Sequence, residues 1–219
     1  MAFYVCIPLR YADRKSCCTD AFNSAIAITL RQYGGGGFLK TVIASDLHGS
    51  ATCCSMLIDR FFKEGAETLL LLGDILYHGP RNDLPEGYEP KAVFAQLNAV
   101  KDKIFCVRGN CDAEVDQMVL EFKLNAESIL LDFDGLPVRA THGHRKLAEL
   151  EETMPQGSVL LYGHTHLFEM RSTERGTILN PGSVTLPKGG NPKTYILYED
   201  RAFIIKTLDG LELRSVSLV

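Results

Sequence analysis

The sequence predicts an α/β fold, and two patterns carry that prediction. From Phe38 onward, short β-branched runs alternate with segments of helical period, as strands and covering helices alternate around a sheet. After Asn180 the chain becomes strand-rich, so the second half predicts a second, more antiparallel sheet. At 219 residues, 46% of them hydrophobic and 23% charged, there is apolar material for one main domain.

The first 37 residues differ in texture and end in Gly34 to Gly37, a linker by composition. Residues 1–37 therefore read as an appendage, either disordered or docked as an extra element, and residues 38–219 as the domain. Within the domain, "FLKTVIAS", "TLLLLG" and "IFCVRG" are the early strands. Met56, Leu57, Phe61 and Phe62 mark the apolar face of a first helix, and "KAVFAQLNAVKDK" supplies a second. "ESILLDFDG", "LPVRATHG", "SVLLYGH" and "TYILYED" follow as strands. The closing "AFIIKTLDGLELRSVSLV" is a hairpin turned at Asp209-Gly210.

Charge and composition exclude several functions. A formal net charge of -4 and no dense basic stripe argue against a nucleic-acid scaffold. No apolar run approaches the ~18 residues of a membrane helix, which argues for a soluble protein. Seven cysteines are an odd number, and neither adjacent pair, Cys17-Cys18 or Cys53-Cys54, has zinc-ligand spacing. That usage points to a reducing compartment, the cytoplasm.

Polar residues collect where the strand-like runs stop. Asp46 and His48 follow "VIAS", Asp74 follows "LLLLG", Asn110 follows "IFCVRG", His142 follows "VRAT", and His164 and His166 follow "VLLYG". In α/β sheets ligands bind beyond the carboxyl ends of strands, so this spacing predicts convergence on one crevice. Seven such ligands are too many for one structural zinc and suit two metals sharing a carboxylate. Singly, Asp46 or Asp74 reads as a helix N-cap. His144 could orient a neighbour or face solvent, His78, Arg81 and Asn82 read either as pocket wall or as turn, and Asp112 reads as the N-cap of "AEVDQMVLEF".

Five blocks in order, "ASDLHGS", "LLLGDI", "RGNCD", "ATHGH" and "LYGHTH", make the chain from Leu39 to its end resemble the calcineurin-like metallophosphoesterases. "HGPRNDLPEGYEP" and "NPGSVTLPKGGNP" bring it closest to the small bacterial phosphodiesterases among them. The resemblance implies a sandwich of two mixed β-sheets flanked by α-helices. It also implies a first metal on Asp46, His48 and His166, a second on Asn110, His142 and His164, and Asp74 bridging the two. The usual ions are divalent, manganese first. A hydroxide bridging them would attack a small-molecule phosphodiester, with Arg108 and His78 as substrate contacts. Arg108 has a second reading as a strand-end surface charge. The same site could serve a phosphomonoesterase or nucleotidase, and the fold also serves as a protein-binding platform in the retromer coat. A homo-oligomer is compatible with all of these readings.

Two positions depart from the family. Where most members carry a histidine acid after the asparagine, this chain has Cys111, and where that acid's Asp or Asn partner stands, it has Tyr77. A thiol of ordinary pKa ~8.5 matches leaving-group protonation poorly. The catalytic set expected is therefore Asp74, Asn110 and a degenerate acid position at Cys111, with protonation left to water, His78 or Asp112.

Overall fold

The computed structural model describes residues 25–30 and 40–218, so most of the N-terminal appendage and its glycine run lie outside the described residues. Strands β2 (Thr41–Ala44), β3 (Thr68–Leu71) and β4 (Ile104–Cys106) form the parallel core of a six-stranded sheet. Helices α1 (Ala51–Lys63) and α2 (Pro90–Asn98) make the crossovers between them. Each strand alternates its side chains between two cores, as the two-residue period requires. Val42, Ala44, Leu69 and Leu71 face the helices, whereas Ile43, Leu70 and Leu72 face the other sheet.

The C-terminal strands β10 (Thr194–Glu199), β11 (Ala202–Thr207) and β12 (Glu212–Ser217) are antiparallel, yet they do not make a sheet of their own. Strand β10 pairs antiparallel with β2, giving the order β12-β11-β10-β2-β3-β4. This corrects the expectation of a parallel first sheet and an antiparallel second one. Ile196 and Tyr198 supply the reason, because they alternate with Tyr195 and Leu197 to continue both cores across the sheet.

The second sheet comes from the middle of the chain, with β5 (Ser128–Phe133), β6 (Leu136–Thr141), β7 (Ser158–Leu161), β8 (Phe168–Ser172) and β9 (Gly176–Pro181). A further strand, β1 (Ala25–Leu30), pairs in parallel with β5 at its edge, giving the order β1-β5-β6-β7-β9-β8. Both sheets are mixed. The sheets enclose a core of Phe133, Val138, Leu161, Leu179, Phe203 and Ile205, among others, while α3 (Leu147–Thr153) packs Leu147 and Leu150 outside the second sheet against Leu160 and Ile178.

On α1 the buried face is Cys53, Cys54, Leu57 and Phe61, with Met56 and Phe62 outside. This corrects the expected face, which keeps Leu57 and Phe61 and loses Met56 and Phe62. The side chain of Ser50 caps the helix by accepting the Cys53 N–H at 3.2 Å, which fixes where the helical phase starts. The β8–β9 hairpin and α3 are further elements that the periodicity did not anticipate.

Candidate metal centre

The polar side chains that follow the strand-like runs come together in the fold. Asp46 and His48 follow β2, Asp74 follows β3, Asn110 follows β4, His142 follows β6, and His164 and His166 follow β7. Both sheets thus present their carboxyl ends to one cleft. Three overlapping groups of side chains have ligand atoms within 4.8 Å of one another: Asp46 with His48 and His166, Asp46 with Asp74 and His142, and His48 with Asp74 and Cys111. The Asp74 Oδ2 atom stands between the two sides, 3.7 Å from His48 Nε2 and 3.4 Å from His142 Nε2. The Asn110 Oδ1 atom lies 3.1 Å from His142 Nε2, and the His164 ring stacks edge-on to His142 at 5.1 Å between centroids.

The tautomers are set from outside the cluster. His48 Nδ1–H donates to the Tyr77 carbonyl at 2.8 Å, His142 Nδ1–H to Leu72 at 2.6 Å, and His166 Nδ1–H to Leu186 at 2.6 Å. With Nδ1–H so committed, each ring turns its Nε2 inward, where the neutral form offers a lone pair. His48 Nε2 and His166 Nε2 lie 3.1 Å apart, and both face Asp46 Oδ1 at 3.6 and 3.3 Å. That oxygen is buried and has no hydrogen-bond partner. Lone pairs and carboxylates converging in a buried place need positive charge between them, and O/N donors without thiolate suit a hard or borderline divalent cation. The residues therefore fit the metals that the family implies.

Electrostatics show the same demand. Burial pushes the Asp46 carboxyl up, but the facing imidazoles of His166 and His48 outweigh it and hold the carboxyl well below its usual range. Burial pushes His142 down, yet the Asp74 and Asp46 carboxylates raise it to about 9. His48 is raised against its own burial by Asp46, Tyr77 and Asp74. Less enclosed by carboxylates, His164 is lowered by burial and by His142.

The backbone is strained where the ligands sit. Asp46, His48, Asp74, His164 and His166 all adopt left-handed φ, between 47° and 66°. Each costs on the order of 1–3 kcal/mol, a strain that clusters where function requires it. The loops close tightly on one another: a Cβ on Gly109 would stand 2.1 Å from Asp74 Oδ1, so only glycine fits there.

Asp112 corrects the N-cap reading. Its carboxylate is buried and accepts the backbone N–H of Asp74 at 2.9 Å, Ile75 at 2.8 Å and Gly109 at 2.7 Å, whereas Ala113 holds the N-cap position of the following 3-10 turn, its N–H donating to Asp116 Oδ2 at 2.8 Å. Burial and the Asp74 charge raise its pKa to about 6 despite those three donors. It joins the two loops that follow β3 and β4, and the sequence signal missed was a carboxylate two residues after Asn110.

Cys111 lies at the rim, its Sγ accepting from Asn110 Nδ2 at 3.2 Å, and its backbone N–H donates to Asp74 Oδ1 at 2.8 Å. Burial and the Asp74 carboxylate push the thiol up to about 12, so it stays protonated. Tyr77 turns its ring to His78, 4.7 Å away, and His78 also meets Tyr88 at 5.2 Å. His78 does not line the cleft, whereas Arg81, Asn82 and Arg108 do, together with Lys188. His144 packs 5.4 Å from the His142 ring, with its Nδ1 buried and unpartnered.

A paired carboxylate and imidazole centre at the strand ends of a two-sheet sandwich defines a class, the metal-dependent phosphoesterases. The model of the calcineurin-like phosphoesterase superfamily domain matches residues 39–201, and the chain belongs to that superfamily. It is 45% identical over 175 residues to the phosphodiesterase YfcE of Escherichia coli (strain K12), an alignment covering 78% of this chain and 93% of the relative. It is 30% identical over 152 residues to phosphodiesterase MJ0936 of Methanocaldococcus jannaschii, covering 66% and 83%. The solved structure of the Escherichia coli YfcE phosphoesterase superposes with a TM-score of 0.77 at 41% identity, over 83% of this chain and 100% of that one. Vps29 from Entamoeba histolytica, solved with zinc, shares the fold alone, with a TM-score of 0.57 at 19% identity over 83% and 100%.

Proposed function

We propose that the protein is a phosphodiesterase working with two divalent cations, manganese first among them. The observation that carries this reading is the inward convergence of the His48, His142 and His166 Nε2 lone pairs on the Asp46 and Asp74 carboxylates, each ring held by a backbone carbonyl. Asp46, His48 and His166 would hold one ion, Asn110, His142 and His164 the other, and Asp74 would serve both. When bound, such a pair would supply Lewis-acid charge and would lower the pKa of coordinated water.

The chain's own residues shape what enters. The cleft measures about 1030 Å³, far more than a phosphate needs, and Arg81, Arg108 and Lys188 line it. Those cations attract the anionic diester and face charge that builds as the bond breaks. Arg108 Nε donates to the Asp112 carbonyl at 3.2 Å, which steadies the guanidinium on the wall. His78 stands behind the cleft, its ring 4.7 Å from that of Tyr77, which lines it. The same reading assigns catalysis to residues 38–219, with residues 1–37 appended. It places the protein in the cytoplasm, consistent with free thiols at Cys53, Cys54, Cys106 and Cys111. No helix among the described residues is long and apolar enough to cross a membrane.

The test is hydrolysis of bis-aryl and mono-aryl phosphates by metal-stripped protein, reloaded with Mn²⁺, beside Asp74→Asn. Turnover of the diester should return with the metal and fall on the order of 100-fold or more in the variant. Preference for the monoester would favour a phosphomonoesterase on the same site. Absence of metal-dependent turnover on both esters would refute the enzyme reading.

A further inference from the structure

We infer that Ser183 and Thr185, in the loop that leaves β9, are positioning residues that lock the Asp46 and His48 turn of one metal's ligand set and leave the other metal's alone, while Asn180, near the end of β9, braces the turn that carries both His164 and His166. The inference rests on the two-metal reading above. All three side chains are buried, and all three reach across to ligand-bearing loops. Ser183 Oγ donates to the Asp46 carbonyl at 2.8 Å, and Thr185 Oγ1 donates to the Leu47 carbonyl at 2.9 Å. Ser183 Oγ in turn accepts the Thr185 and Leu186 N–H groups at 3.1 and 2.8 Å, which shapes the loop around it. Asn180 Nδ2 donates to the Gly163 carbonyl at 2.8 Å and to Thr165 Oγ1 at 3.1 Å, beside His164 and His166.

The loop's backbone completes the grip. The Leu186 carbonyl takes His166 Nδ1–H, Lys188 N–H donates to the His166 carbonyl at 3.0 Å, and Val184 N–H donates to the Ser45 carbonyl at 3.2 Å. These bonds hold Asp46 at φ 59° and His166 at φ 61°, conformations that non-glycine residues leave unless held. Without the two hydroxyls, the Asp46 carbonyl would lose the Ser183 hydrogen bond and the Leu47 carbonyl would keep only the Ser50 N–H at 3.1 Å. The other side is held differently, by Leu72 on His142 and by Asp112 under Asp74 and Gly109. The hydroxyl grip is therefore asymmetric: Ser183 and Thr185 fall on Asp46 and Leu47 alone, whereas Asn180 holds Gly163 and Thr165, which flank His164, and Gly163 N–H donates on to the His142 carbonyl at 3.1 Å.

Metal-ligand partners of this kind typically cost ~10–100-fold in metal affinity when removed. Thr185→Val keeps the shape and loses the hydroxyl, while Thr185→Ser keeps the hydroxyl and loses a methyl. Mn²⁺ binding to the full chain is followed by titration calorimetry and by the electron paramagnetic resonance of free Mn²⁺, with Asn110→Ala as a background that weakens the opposite site. Thr185→Val should weaken one of two ions by about 10–100-fold, the loss should persist in the Asn110→Ala background, and Thr185→Ser should bind as the parent does. Ser183→Ala should repeat the Thr185→Val pattern. Unchanged affinity in Thr185→Val, equal losses in Thr185→Val and Thr185→Ser, or equal weakening of both ions would overturn the inference. A wild-type chain that binds no Mn²⁺ would instead overturn the metal reading beneath it.

Discussion

Asp112 accepts the backbone N–H of Asp74 at 2.9 Å while the same oxygen accepts the N–H of Gly109 at 2.7 Å. One buried carboxylate thus ties the turn carrying Asp74 to the turn carrying Asn110. Removing it leaves three buried N–H donors without an acceptor, at roughly 1–3 kcal/mol for each group left unpaired.

Asp112→Ala should therefore lower the thermal midpoint and activity together. Asp112→Asn offers one acceptor oxygen for three donors and turns an amide N–H₂ against the rest, so it should fall between wild type and alanine. Differential scanning calorimetry with and without Mn²⁺ checks this. An Asp112→Ala protein with wild-type midpoint and turnover would show that the tie contributes nothing.

Cys111 provides a chemical prediction. A thiol pushed up to about 12 by burial and by Asp74 is a weak donor to a departing oxyanion. Aryl phosphodiesters of graded leaving-group pKa should therefore show a steeper dependence in wild type than in Cys111→His, with the largest gain from the variant on the most basic leaving groups. Equal slopes would mean that protonation does not pass through this position.

Glu64 gives a pH prediction away from the cleft. Its carboxylate accepts from Tyr195 Oη at 2.6 Å and from Lys206 Nζ at 2.5 Å. Burial raises its pKa, but Lys206, Tyr195 and the Lys40 charge outweigh that and leave it below the ordinary 4.5. A depressed carboxyl stabilises the fold above its unfolded value and loses that contribution as pH falls through the folded one. Glu64→Gln should cost about 1–2 kcal/mol at pH 7, and the gap to wild type should close below pH 4.5. Urea unfolding at several pH values measures it, and a gap that widens toward acid would reverse the assignment.

Much of the fold was legible because period and composition are local. "TLLLLG" and "TYILYED" are strands wherever they pack, and the Asp209-Gly210 turn closes its hairpin with Thr207 N–H on the Leu211 carbonyl at 2.9 Å. The β8–β9 hairpin escaped notice because "FEMRS" is half-buried and mostly polar, so neither a run nor an alternation marks it. Met56 and Phe62 misled because an apolar residue next to a helical face looks the same in sequence as one on it.

The sequence by itself determined the α/β class, the order of the candidate ligands along the chain and the departure at Cys111, since each rests on residue identity and short-range spacing. Only the tertiary structure decided that β10 to β12 extend the first sheet, that Asp112 ties two loops instead of capping a helix, and that Asn180, Ser183 and Thr185 grip the Asp46 and His166 turns. Those outcomes depend on which buried carbonyls and N–H groups need partners from distant segments. That need exists only once the chain has packed and water has been excluded.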